Sequence, residues 1–116
     1  MSGNERELPR SIMEFVPGRQ VTLAHLVRNP QKDLCERIGV EKAGALGIMT
    51  ITPGDGTIIA ADIASKAASV KVEFADRFTG CLIISGDIAA VETSLKSALS
   101  SLEENLGFSP TNLTRS

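Results

Sequence analysis

One histidine, two cysteines, a few glycine-rich turns and a handful of isolated lysines and arginines are what this sequence offers to chemistry. His25 lies in QVTLAHLV with no Cys or Asp at triad-like or ligand-like spacing. An imidazole without such partners lacks a proton relay and a metal shell, so a structural strand histidine is the expected reading. PGDGT (53–57) and RFTGC (77–81) match neither GxGxxG nor a phosphate loop, which needs a lysine beside Ser or Thr. Asp55 is expected as a turn and cap residue, and Lys66 by default as a solvated lysine. Cys35 and Cys81 form no CxxC pair. Cys35, beside Leu34 on a predicted helix, reads as a small core hydrophobe. Cys81 poses a sharper choice. Copies related by a rotation axis could bring several thiolates together as iron–sulfur ligands, but Cys81 also opens the apolar run CLIIS, whose alternation would turn it into the core. The expectation is a protein that is not an enzyme and holds no cofactor or metal, with Cys81 as the one candidate ligand.

Composition narrows the classes further. A chain of 116 residues supports one domain with one core. Hydrophobic residues make up 42%, enough to fold, but the aromatics are four Phe with no Trp or Tyr, too few for a base-stacking surface. The formal charge is −2, the isoelectric point is near 5.4, and no basic run exceeds two residues, which argues against a nucleic-acid partner. MSGNERELPR lacks an apolar core for a signal peptide, and no apolar stretch approaches the roughly 20 residues of a transmembrane helix. Lone thiols fit a reducing compartment, so the expected location is cytoplasmic, without membrane association.

The elements that must position these residues follow from periodicity. Residues 1–9 read as a polar, flexible tail and residues 11–16 as a first strand. After Pro17-Gly18 a second strand, Gln20 to Val27, would face Val21, Leu23, His25 and Val27 one way and Thr22, Ala24 and Leu26 the other. Asn29 as N-cap, Pro30 in the first turn and Gly39 as a left-handed stop predict a short helix. VEKAGALG leads as a loop into a strand, Leu46 to Thr52. PGDG then starts a helix running to about Ser69, with Ile59, Ile63 and Ala67 as its stripe and Ala60 and Ala64 alongside. Strands Val70–Ala75 and Cys81–Ser85 flank the hairpin loop DRFTG. The longest helix is capped by Asp87, ends at Gly107, and carries one apolar stripe through Ile88, Val91, Leu95, Ala98, Leu99, Leu102 and Leu106. FSPTNLTRS adds a short last strand limited by Pro110. The order β-β-α-β-α-β-β-α-(β) predicts an α+β sandwich with helices on one sheet face. The first strand has no obvious partner inside that domain, and an unpaired edge invites pairing with another chain.

Four stretches together, EFVPGRQVTLAHLVRNPQKDL, GIMTITPGDGTIIAADIASKA, FADRFTG and SGDIAAVETSLKSAL, resemble the bacterial microcompartment shell proteins of the circularly permuted, single-domain EutS/PduU type. The resemblance spans residues 10 to 116. It implies a BMC-domain, ferredoxin-like α+β sandwich whose strand and helix at 21–38 come last in the unpermuted domain. It implies a homohexamer that tiles with other shell proteins around metabolic enzymes of ethanolamine or propanediol type. The division it implies is a tail at 1–9, a barrel strand at 10–18 and the permuted shell domain at 19–116. Ile12, Met13, Glu14, Phe15 and Val16 from six copies would close a β-barrel on the axis, which leaves no exposed edge.

The same resemblance carries over three further sites. Arg77, Phe78, Thr79 and Gly80 correspond to the loop that approaches the central pore, where six arginines would attract anions or require counter-charges such as Asp76. Lys66, in ADIASKAA, corresponds to the lysine at which neighbouring hexamers meet, and Gly44, in AGALG, to a glycine that permits a bent hexamer. Cys81 stands where a small aliphatic residue is expected, which keeps the cluster-binding variant of this branch in view. The barrel face also offers Ile12, Phe15 and Val16 as a dock for an encapsulated enzyme or its targeting helix. The second reading is an oligomeric small-molecule-binding or iron–sulfur-binding regulatory or redox module on a similar fold.

Overall fold

The computed structural model describes residues 14–116. Along the chain lie β1 (Gln20–Arg28), α1 (Lys32–Arg37), β2 (Ala45–Thr52), α2 (Gly56–Ala67), β3 (Lys71–Asp76), β4 (Cys81–Gly86), α3 (Ile88–Leu106) and β5 (Leu113–Arg115). The strands form one sheet in the order β3-β4-β2-β1-β5. β1–β2, β2–β4 and β3–β4 are antiparallel, and β5 runs parallel to β1. No helix among the described residues is long and apolar enough to cross a membrane.

α2 and α3 cover one face of the sheet. From β1, β2 and β4, that face contributes Val21, Ala24, Leu26, Ala45, Met49, Ile51, Leu82 and Ile84, closed from above by Val91, Leu95, Ala98 and Leu102 of α3. Phe108, just past α3, seals one end at 3% exposure. α3 forms as the pattern demands. Asp87 holds an extended N-cap backbone, though without a side-chain cap bond, and Gly107 at φ 72° ends the helix. The Phe108 N–H then turns back onto the carbonyl of Leu102 at 3.1 Å. Gly47 decides how close α3 lies to β2. A Cβ there would stand 2.9 Å from both Ile84 Cγ1 and Val91 Cγ1, tighter than real side chains tolerate.

Three expectations, on β1, α1 and α2, require correction. Within the single chain, residues 14–16 join no strand of the sheet. Instead the Val16 N–H donates to the Gly107 carbonyl at 2.7 Å, which ties the segment to the end of α3. Ile12 and Met13, the rest of the proposed barrel run, lie outside the described residues. In β1 a bulge between Val21 and Leu23 shifts the alternation, so Val21 joins Ala24 and Leu26 on the core face while Leu23, His25 and Val27 turn away. α1 starts at Lys32 with Gln31 rather than Asn29 in the N-cap position, since Asn29 turns left-handed at φ 49° instead of holding the extended backbone of an N-cap.

On α2 the buried side is Gly56, Thr57, Ala60 and Ala64, whereas Ile58 and Ile59 are 51% and 42% exposed. Small residues win because α2 lies close against α3, close enough for the buried Ser94 hydroxyl to donate to the Ala64 carbonyl at 2.8 Å. An isoleucine facing α3 would hold the helices apart. Cys35 is fully buried, as expected, and with Val40 and Leu46 is buried outside the main core cluster.

Two substitutions test this packing by denaturant midpoints at fixed protomer concentration. Leu102→Ala empties a site with no exposure at the centre of the core and is expected to lower the unfolding free energy by about 2–5 kcal/mol. Gly47→Ala is expected to cost about 1–3 kcal/mol by overpacking against Ile84 and Val91, and an unchanged midpoint would refute the close approach of α3 to β2.

Candidate functional site

The β3–β4 turn is the most tightly constrained exposed feature of the chain. The Asp76 carboxylate accepts the Phe78 N–H and the Thr79 hydroxyl, both at 2.9 Å, while the Asp76 carbonyl accepts the Gly80 N–H at 2.8 Å. These bonds, the Phe78 N–H first, hold the Asp76 carboxyl below its ordinary pKa. Gly80 is left-handed at φ 76°, and its carbonyl accepts the Ile51 N–H at 2.9 Å, where a Cβ would collide with the Ile51 carbonyl. Gly54, in the turn between β2 and α2, likewise lets the Arg77 carbonyl pass where a Cβ would overlap it. The two glycines therefore clamp the hairpin tip between its own base and the β2–α2 turn.

On this base Arg77 and Phe78 take distinct roles. The Arg77 guanidinium lies 3.6 Å from Asp55 and 5.2 Å from the Phe78 ring centroid. Asp55 occupies the N-cap position of α2, as expected, but makes no side-chain cap bond, and its carboxylate faces the Arg77 guanidinium. Phe78 is 87% exposed, the most exposed of the large hydrophobic side chains among the described residues. Asp55 and Gly54 were legible in the sequence only as turn residues. That they support a loop some twenty residues later depends on how the hairpin folds back over them.

The face of the sheet away from α2 and α3 forms a second candidate surface. Register places Phe74, Ile83, Ile48 and His25 in one row across β3, β4, β2 and β1. Asp76, Cys81, Thr50 and Leu23 form the next. Phe74 and Leu23 are exposed and Ile48 and Ile83 half-buried. Cys81 therefore points away from the core, since Leu82 and Ile84 are the inward residues of CLIIS. Burial first, then the Asp76 charge, raises the Cys81 thiol above its ordinary pKa, away from the thiolate that metals need. Among the described residues no three His, Cys, Asp or Glu side chains gather as a metal set.

His25 fastens the end of the chain. Its Nδ1 lies 2.6 Å from the Thr114 hydroxyl and its Nε2 2.8 Å from the Ser116 hydroxyl. Hydroxyls donate or accept, so both ring nitrogens are satisfied in either tautomer. An ion pair from Arg115 to Glu92 at 3.1 Å ties the same strand to α3. Lys66 stands on the outer side of α2, 75% exposed, with its ammonium 2.9 Å from Asp62 one turn earlier. Gly44 precedes β2, and its carbonyl accepts the Asn29 N–H at 2.8 Å. A Cβ on Gly44 would meet only ordinary contacts, nearest the Gly86 carbonyl at 3.4 Å, so nothing within the chain demands a glycine there. The hairpin loop, Lys66 and Gly44 are thus separate surface features rather than parts of one cleft.

These features have counterparts in known proteins. A family model described as "BMC domain" matches residues 45–109, from β2 to just beyond α3. The shell protein EutS of Salmonella typhimurium is 52% identical over 107 residues, covering 92% of this chain and 96% of that protein. The shell protein PduU of the same organism is 50% identical over 107 residues, covering 91% and 92%. Among solved structures, a flat hexamer of CutR superposes with a TM-score of 0.83 at 48% identity, over 90% of this chain and 97% of that one. A screw form of CutR superposes with a TM-score of 0.82, also at 48% identity, over 86% and 100%. A match over more than half the chain, with relatives near half identical over nine-tenths of it, makes the chain a member of the BMC-domain family, the shell proteins of bacterial microcompartments.

Proposed function

We propose that this chain is a structural tile: a homohexamer that packs edge to edge with other shell proteins in a cytoplasmic microcompartment, without catalysis. The observation that carries this reading is the open sheet face. Phe74, Ile83, Ile48 and Leu23 present apolar side chains on the side of the sheet away from α2 and α3. Apolar surface of that kind is stabilised by a partner, and a ring of identical copies supplies one to every subunit. The relation to EutS, PduU and the hexameric CutR supports the same conclusion.

The finer assignments rest on position. Circular permutation is supported by β1 and α1 lying ahead of the family match while β1 sits between β2 and β5 in the sheet. We assign residues 10–18 to a barrel strand that pairs with its copies on the axis, and 19–116 to the shell domain. Phe15 and Val16, 46% and 40% exposed where the Val16 N–H meets the Gly107 carbonyl, are available for that pairing or for the targeting helix of an enclosed enzyme. Arg77, Phe78, Thr79 and Gly80 line the approach to the axis. Lys66 joins one hexamer to the next, its stem lying along the joint and its ammonium reaching a carbonyl across it. Gly44 is the hinge for a bent ring, a role that fits a glycine no contact within the chain requires.

Two experiments test these assignments. Native mass spectrometry is expected to give a mass of six subunits for the full chain and still six for a variant lacking residues 1–18. Loss of the hexamer on truncation would make the N-terminal strand a principal source of assembly, and a monomeric full chain would sink the tile in favour of a small-molecule-binding module. Lys66→Ala is expected to leave the hexamer intact while abolishing extended sheets in electron micrographs, since among the described residues Lys66 bonds to Asp62, one turn away on its own helix. Sheets that persist in this variant would remove Lys66 from the joint.

A further inference from the structure

We propose that Phe78 of each copy packs against the Phe78 rings of its neighbours, forming an apolar collar that closes the axis to hydrated ions. The proposal rests on the ring reading above and on DRFTG as the axial loop. Within the chain the Phe78 ring is unsupported on its outer side, with 87% of the residue exposed, whereas Phe108 is buried to 3%. Water around so exposed a ring is released when like rings meet, and aromatic pairs gain further from edge-to-face contact.

The base under Phe78 makes that contact inexpensive in entropy. Asp76 already holds the Phe78 N–H and the Thr79 hydroxyl, and Gly80 is bonded to Ile51. Little backbone freedom remains to be lost when copies converge. Arg77 is turned aside, its guanidinium engaged with Asp55 and lying over the ring face of Phe78. The sequence alone suggested a ring of arginines attracting anions. In the folded loop the guanidinium has Asp55 of its own subunit 3.6 Å away, and its side chain is 63% exposed, so Phe78 at 87% is the more exposed group of the two. A narrow apolar ring sheds its water and blocks ions that cannot leave their hydration shells.

The chain has no Trp or Tyr, so Phe78→Trp introduces a sole indole at the collar. In hexamers verified by native mass, the expected result is blue-shifted emission, several-fold weaker acrylamide quenching than for the free indole amide, and depolarisation by energy transfer between neighbouring indoles. A parallel variant, Phe78→Cys, treated with a short bismaleimide beside the wild type, is expected to yield a ladder of covalent multimers that the wild type, with Cys35 buried and Cys81 half-buried, does not give. Intact hexamers whose indole emits as in water and quenches freely, or whose Cys variant stays monomeric, would overturn the collar and leave the tile standing. Indole shielding that appears only after another protein is added would assign Phe78 to that partner and likewise overturn the collar. Failure of the wild type to form a ring would overturn both.

Discussion

A five-stranded sheet with two helices on a single face has half its surface unprotected, and most features of this chain follow from that asymmetry. The covered face is packed to the limit: Gly47 admits α3 onto β2, and Ala60 and Ala64 admit α2 onto α3. The opposite face keeps Phe74, Ile83, Ile48 and Leu23 within reach of water. Exposed apolar groups on that second face, Phe74 and Leu23 above all, gain from association with a partner. In the proposed ring, identical copies would offer the same partner to every subunit, an arrangement that suits a one-sided sheet.

The edges of the sheet are managed differently. β5 is only three residues long, and it caps the outer side of β1 with parallel pairing reinforced by the His25 hydroxyl bonds and the Arg115–Glu92 ion pair. β3, at the other edge, carries a bulge between Val72 and Phe74 and begins with Lys71, both features that discourage further strands from pairing there. Lateral strand addition is thus restrained at both sides, and the available routes of association are the open face, the hairpin tip and the outer helix surface. The hairpin tip is rigid where association needs it to be: its backbone is held by Asp76, Gly54 and Gly80. An exposed aromatic on a mobile loop would have to be ordered on contact, and this one is ordered in advance.

Much of this was legible from local pattern. The limits of α3, with Asp87 before it and Gly107 after it, followed from capping chemistry and a helical stripe, and the DRFTG hairpin from its glycine and spacing. Those signals act within a few residues, so the sequence displays them directly. On α2 the stripe held at Ala60, Ala64 and the partly buried Ile63, but Ile59 was misread, because the inward side of that helix is chosen by its distance from α3 rather than by hydrophobicity. The alternation along β1 was likewise misread, since a bulge adds a residue that no residue type announces.

What the sequence determined by itself was family and class: an α+β domain, four motif stretches in shell-protein order and the hairpin at Arg77–Gly80. Tertiary structure alone decided orientation and partnership. It paired Arg77 with Asp55, set Gly54 beneath the loop, turned Cys81 away from the core and gave His25 the task of holding the last strand. The reason is one of range. Caps, turns and periodicity are governed by neighbours three or four positions away, whereas charge pairing and the choice of buried face depend on groups that meet only after the sheet has formed and the helices have settled on it.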